Sequence, residues 1–315
     1  MSNKLFPFVY LMVLATFFLS PALAQQADLF WLRGWNMEQT SDKQVAFVSM
    51  SDKYRLSEHP DSSAIPDLIA LYGDEYIQVE QLVLDSIYRE RFMIGTGTSE
   101  KDKVFIYTYV TNKLITLPVS ELTVVANMNV YGADWPYSQY DFMLGFEINK
   151  QALQGLEDLH FEHTLVYVGK KSPFVLNKLK QVEWKEVDEA AFPELEPLNY
   201  DTTYTGRCIL NQTYAFEDKG MTYFLQEMTR VSDNFNALNR LLVIDVKTQK
   251  VICDKLIYAG ESASFAPLDQ QWTGELLKKK DPVIFGFQWH SFGCPFITFL
   301  NPKAEDLYIK CDNRH

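Results

Sequence analysis

Apolar and polar positions alternate with a period of two along most of this chain. In KVFIYTYVTNKLITLPV, Phe105, Tyr107 and Tyr109 fall on one side of an extended strand, and Val104, Ile106, Thr108 and Val110 fall on the other. Successive strand residues project to opposite faces, and the turn-forming Thr111-Asn112 lead into a second apolar run, so the pattern predicts a hairpin. RLLVIDVKTQKVICDKLIY repeats the design, with Lys247 to Gln249 at the turn. The two runs correspond at Val104/Leu241, Phe105/Leu242, Ile106/Val243, Thr111/Thr248, Lys113/Lys250 and Ile115/Ile252. A duplicated hairpin would leave this trace, and so would ordinary hairpin chemistry. The multiple regular copies of a propeller are missing. Further strands are predicted at LTVVANMNVYG, DFMLGFEI, HTLVYVG, KQVEWKEV, TYFLQEM and PVIFGFQW.

Helical spacing is rarer. It occurs within residues 63–71, within 74–92, where Tyr76, Val79, Val83 and Ile87 recur every three or four positions, and in NKQALQGLEDL from Asn149. The expected fold is therefore mainly β with a few helices, a β-rich α+β class built from antiparallel hairpin-based sheets. An apolar content of 47% with 14% aromatics supplies a packed core, which argues against disorder.

Residues 1–24 have the layout of a cleaved secretory signal. Lys4 precedes the apolar LFPFVYLMVLATFFL, and Ala22-Leu23-Ala24 has the small-x-small form of a peptidase site. The apolar run is about 15 residues long, short of the roughly 20 that span a bilayer. The mature chain is expected to begin at Gln25, to carry no membrane span and to be periplasmic or extracellular. Residues 187–203, VDEAAFPELEPLNYDTT, are acidic, contain two prolines and lack periodicity. They suggest a cysteine-free β-rich domain over 25–190, a linker over 191–202 and a second β-rich domain over 203–315.

All four cysteines lie in that second part, and an even count in an exported chain suggests disulfides. CPFITFL and EDLYIKC read as two strands joined at Asn301-Pro302, which would bring Cys294 opposite Cys311 and leave Cys208 for Cys253. No CxxC or neighbouring histidine offers zinc spacing, so no metal is expected, and no motif implies a cofactor. Loss of residues 1–24 removes Lys4 and leaves 28 basic residues against 41 acidic ones. Such a surface repels phosphate backbones, which disfavours nucleic acid; it suits a cationic partner, or simply solubility.

The stretch WHSFG at residues 289–293 is one letter from GHSFG, the GxSxG form of a hydrolase nucleophile elbow. That strained turn needs glycine where Trp289 stands, and a helix should follow where Gly293-Cys294-Pro295 leads into FITFL. After Ser291 the chain is too short to supply an acid and a histidine on further strands. The letters fit a strand and a turn better, with Val283, Phe285, Phe287 and Trp289 on one face and His290 on the other or at the strand end. His160 and His163 would share a helix face, but the following TLVYV favours a strand and separates them. GTGTSEKDK from Gly95 lacks phosphate-loop spacing and reads as a hairpin loop, and Asn211-Gln212-Thr213 is a glycosylation sequon.

The loop YGADWPYSQYDF, residues 131–142, groups rings with polar side chains between two predicted strands. Trp135, Tyr137, Tyr140 and Asp141 are its candidate ligand-binding residues, since aromatic faces stack on sugars or peptide side chains while carboxylates accept their donors. The same rings would also serve to plug the end of a β domain. Glu147, Glu162 and Glu183, in or beside predicted strands, are candidates for dispersed carboxylate chemistry. The sequence thus points to an exported binding or interaction protein of undefined ligand, in one form an inhibitor or immunity-type protein masking a basic partner. The alternative is a secreted hydrolase acting on glycans.

Overall fold

The computed structural model describes residues 27–36, 44–54, 63–73, 79–129, 139–153, 156, 163–195, 208–230, 237–258, 270–287 and 294–312. The class is mainly β, and the described residues form four antiparallel sheets. Layer 1 contains β2 (Leu32–Asn36), β3 (Gln44–Ser49), β4 (Gln81–Val83), β7 (Thr123–Met128) and β8 (Phe142–Asn149), in the order β2-β3-β8-β7-β4. Layer 2 contains β1 (Leu29–Phe30), β5 (Lys103–Thr108), β6 (Lys113–Pro118) and β9 (Thr164–Gly169), in the order β1-β9-β5-β6. Layer 3 is β10 (Leu179–Gln181), β16 (Trp272–Gly274), β17 (Val283–Phe285), β18 (Phe296–Phe299) and β19 (Leu307–Tyr308), paired in that order. Layer 4 is β11 (Lys185–Val187), β12 (Cys208–Asp218), β13 (Met221–Arg230), β14 (Ala237–Asp245) and β15 (Val251–Tyr258), also paired in order.

Three apolar cores join the layers. The first takes Leu32, Val48, Val124 and Phe146 from layer 1 with Val104, Ile106 and Val166 from layer 2. The second takes Phe105, Tyr107 and Leu165 from the opposite face of layer 2 with Val283, Phe285, Ile297 and Leu307 of layer 3. The third takes Ile284 from the far side of layer 3 with Phe216, Tyr223, Leu241 and Val243 of layer 4. Layers 2 and 3 are therefore apolar on both faces, which explains why five successive residues of β5 are buried. Both faces of an alternating strand can be apolar only if each has its own core.

The two expected hairpins form. β5 pairs with β6 and β14 with β15, and Asn112 and Gln249, at matching turn positions, take φ of 53° and 55°. Residues 74–92 were expected to hold one helix. Their described part divides instead into the edge strand β4 and α2 (Ser86–Thr96). Leu82 alone of β4 faces the first core, and α2 covers the rim of that core with Phe92, whose ring meets Phe146 edge-on at 5.3 Å. GTGTSEKDK is not a hairpin loop: Gly95 and Thr96 end α2, and Gly97 caps it at φ 65° on the way to β5. A short α1 (Leu68–Tyr72) is capped by Asp67, whose carboxylate accepts from the Ala70 amide at 3.1 Å. From Asn149 only the 3-10 turn Lys150–Leu153 is described.

Strand pairing runs across the expected boundary, since β10 and β11 precede residues 191–202 yet pair with β16 and β12. The far end of the chain also returns to layer 2. Lys310 donates its amide to the Leu29 carbonyl at 2.8 Å and accepts from Trp31 at 3.2 Å. Arg33 donates to the Cys311 carbonyl, and the buried Asp312 carboxylate accepts from the Ser49 hydroxyl at 2.6 Å. The disulfide Cys294–Cys311 closes the β18–β19 hairpin as expected. The pairing of Cys208 with Cys253 does not form. Cys253 is a buried free thiol on β15, and β13 and β14 stand between it and β12. Strands lie about 4.8 Å apart, so three ladder steps exceed the roughly 7 Å that a disulfide can bridge.

Candidate functional site

A cavity of about 610 Å³ opens where the start of β1 meets the β18–β19 hairpin and the edge strand β15. Its walls carry Asp28, Lys255, Glu305, Asp306, Tyr308 and Lys310. Each group is placed by a local device. The pairing of Leu29 with Lys310 sets Asp28 beside the end of the hairpin, where its carboxylate meets Lys310 Nζ at 3.7 Å and Lys53 Nζ at 3.2 Å. Lys255 lies opposite Leu241 in the ladder and so faces inward from layer 4, where it pairs with Asp306. Its ammonium also sits 5.9 Å from the Phe296 ring centre, and Phe296 packs on Tyr308 with centroids 5.7 Å apart. Tyr308 itself is 64% exposed and forms an open aromatic wall.

The cleft therefore presents ammonium and carboxylate groups side by side with one aromatic face. Its Asp28 pairs are about one-third exposed, and pairs of that kind contribute only about 0–1 kcal/mol each. A ligand bearing both signs of charge can exchange with them at small cost. Nothing in the sequence marks this grouping. Its residues come from positions 28, 255 and 305–310, share no motif, and become neighbours only when the chain end folds back along β1.

The residues singled out from the sequence are scattered. Trp135 and Tyr137 lie outside the described residues, as do Trp289, His290 and Ser291 of WHSFG. Tyr140 is 69% exposed and Asp141 half-buried in the turn Gln139–Asp141, whose Asp141 carbonyl accepts from the Asn129 amide at 2.8 Å. Phe142, at the end of the same stretch, is a fully buried member of the first core, so part of that aromatic run is packing. His163 Nδ1 lies 3.3 Å from the Tyr109 hydroxyl at the edge of the second core, and His160 is outside the described residues. Glu147 accepts from Gln81 at 3.0 Å on layer 1, whereas Glu183 is exposed on the link between layers 3 and 4, and Glu162 is outside the described residues. With sheets stacked about 10 Å apart, Glu147 and Glu183 do not meet at the 5–9.5 Å of a glycosidase pair. The sequon's Asn211 is exposed beside a β-bulge and donates to Thr229 at 2.8 Å.

Among the described residues no three His, Cys, Asp or Glu side chains converge as a metal site, and no helix is long and apolar enough to cross a membrane. No family model, curated protein or solved structure matches this chain.

Proposed function

We propose that the chain is an exported binding protein whose cleft between β1, β15 and the β18–β19 hairpin takes a partner carrying charges of both signs. The observation that carries this reading is the cavity itself, where the exposed ring of Tyr308 lies beside the Lys255–Asp306 pair and the partly exposed Lys310–Asp28 pair. Fixed opposite charges beside an exposed ring suit a short peptide segment, with basic and acidic side chains exchanging into the pairs and an apolar one lying on Tyr308. The signal-like residues 1–24 and the disulfide Cys294–Cys311 support export, because such bonds persist in oxidising compartments. Recognition rather than bond cleavage fits lysines and carboxylates already paired with one another.

The test is a thermal-shift titration of residues 25–315 with the N-acetylated, C-amidated peptides Lys-Leu-Glu, Glu-Leu-Lys and Gln-Leu-Gln, the last of which carries no charge. A ligand at about a hundred times its dissociation constant stabilises by roughly 2.7 kcal/mol. The charged peptides should raise the midpoint and the uncharged one should not, and Lys310→Ala should weaken the effect about tenfold or more. Equal responses to all three peptides, or a response unchanged in Lys310→Ala, would sink the reading.

A further inference from the structure

On the inner face of layer 4 the third core gives way to polar side chains. Leu241 and Val243 of β14 belong to that core, so Asn239, two residues before Leu241, faces the same way. Tyr223 of β13 also belongs to it, and Glu227 follows at the same parity. The ladder sets Gln212, Glu227, Asn239 and Ile257 in one row across β12 to β15. The next row begins with Tyr214, which lies opposite Glu186 of β11 and Leu225 of β13. Residues directly opposed across a ladder have Cβ atoms about 4.5–5.5 Å apart, so Glu227 stands within side-chain reach of an amide on either flank.

Asn239 is only 3% exposed, yet its Oδ1 has no hydrogen-bond partner. Buried amide oxygens are nearly always satisfied, and leaving one bare costs stability. Burial also pushes the Glu227 carboxyl above its usual range. The Tyr214 phenol is raised by burial first and then by the Glu227 and Glu186 carboxylates, which places both charges near its hydroxyl. Lys255, the cation facing inward from β15, is engaged with Asp306.

We propose that this row is a binding site for a primary ammonium group, held by the Glu227 carboxylate and the Asn239 amide oxygen with the Tyr214 ring beside them. An ammonium brings three donors and no acceptor, which matches a half-buried carboxylate and a bare amide oxygen. A neutral hydroxyl would leave the carboxylate's charge uncompensated in a partly dry site. The chain's excess of 41 acidic over 29 basic residues draws cations toward it. The ligand class is a small free alkyl amine. The inference stands apart from the peptide cleft, whose walls do not include Glu227 or Asn239.

The experiment is calorimetric titration of residues 25–315 with n-butylammonium chloride, with n-butanol and sodium chloride as controls. The amine should bind and the controls should not. Glu227→Gln keeps the shape of the side chain and should weaken binding at least tenfold. Asn239→Leu should do the same while its melting temperature stays level or rises, because the bare amide oxygen is gone. No heat with the amine, equal heat with butanol, or undiminished binding in folded Glu227→Gln would overturn the proposal.

Discussion

Cys253 shows how burial decides the fate of a residue that the sequence alone assigns to a disulfide. Its thiol sits in the third core and is pushed up to about 12, chiefly by burial, with Lys255 opposing and Asp306 and Asp254 adding to the rise. A thiol with that value is almost wholly protonated at neutral pH and a poor nucleophile. Cys253 should therefore resist iodoacetamide at pH 8 in the native protein and react only on unfolding, as peptide mapping of the alkylated protein would read. The shift also fixes a pH dependence. The folded state holds the proton more tightly than the unfolded chain, whose thiol has an ordinary value near 9.0, so the contribution is complete below pH 9. It is lost progressively as the pH rises from about 9 to about 12. Denaturation measured from pH 7 to 11 should show this decline in the wild type. In Cys253→Ala the decline should begin only above pH 10, where the buried phenols of Tyr107 and Tyr223, also raised by burial, take over. A decline of identical onset in both proteins would remove Cys253 as its cause.

Elements were legible where period and turn agreed. Both long hairpins follow from strict alternation broken by turn residues, and the hairpin of β18 and β19 follows from Asn301-Pro302 between two apolar runs. KQVEWKEV was legible as extended chain but not as two strands, β10 and β11, in two different sheets. The crossing occurs at Val182, whose amide bonds to the Gln271 carbonyl at 2.8 Å, and at Trp184, which packs against the third core. Nothing in eight residues announces which partner each half will find. The second disulfide failed for a related reason, since strand order within layer 4 is not written in cysteine spacing. The bond that does form should matter beyond its own hairpin. It closes a sequence separation of 17 residues, and a loop of that size is worth about 3 kcal/mol in the chain-entropy account. Cys311→Ala should lower the melting temperature by about 5 °C in a chain of this length. Hydrogen exchange at the Trp31 amide should accelerate as well, because Lys310 lies next to the lost crosslink. Dithiothreitol should reproduce the effect in the wild type and add nothing in the variant; an unchanged melting temperature would mean that the clasp of Arg33, Ser49 and Asp312 suffices by itself.

At the scale of the molecule, the stacking of four sheets is what strand patterns alone leave open. Alternation reveals that β5 has two apolar faces but not that one meets layer 1 and the other layer 3. The same stacking produces both proposed sites, since the peptide cleft needs β1, β15 and the final hairpin together, and the ammonium row lies where layer 4 extends past the third core. It also makes the acidic segment 191–202 a poor place to cut. Residues 25–190 alone would keep layers 1 and 2 but strip the second core of Val283, Phe285, Ile297 and Phe299. Phe105, Tyr107, Tyr109 and Leu165 would then face water on one continuous surface, and an aromatic side chain alone buries about 150–250 Å². β10 and β11 would lose their ladder partners, and β1 its contact with Lys310. Exposed faces and open edges of this kind associate. The fragment should therefore elute as aggregate and bind a hydrophobic dye, whereas residues 25–315 should be monodisperse and unfold in one cooperative transition. A monomeric fragment with its own sharp transition would show instead that layers 1 and 2 are a self-sufficient domain, and that the second core forms by docking rather than by co-folding.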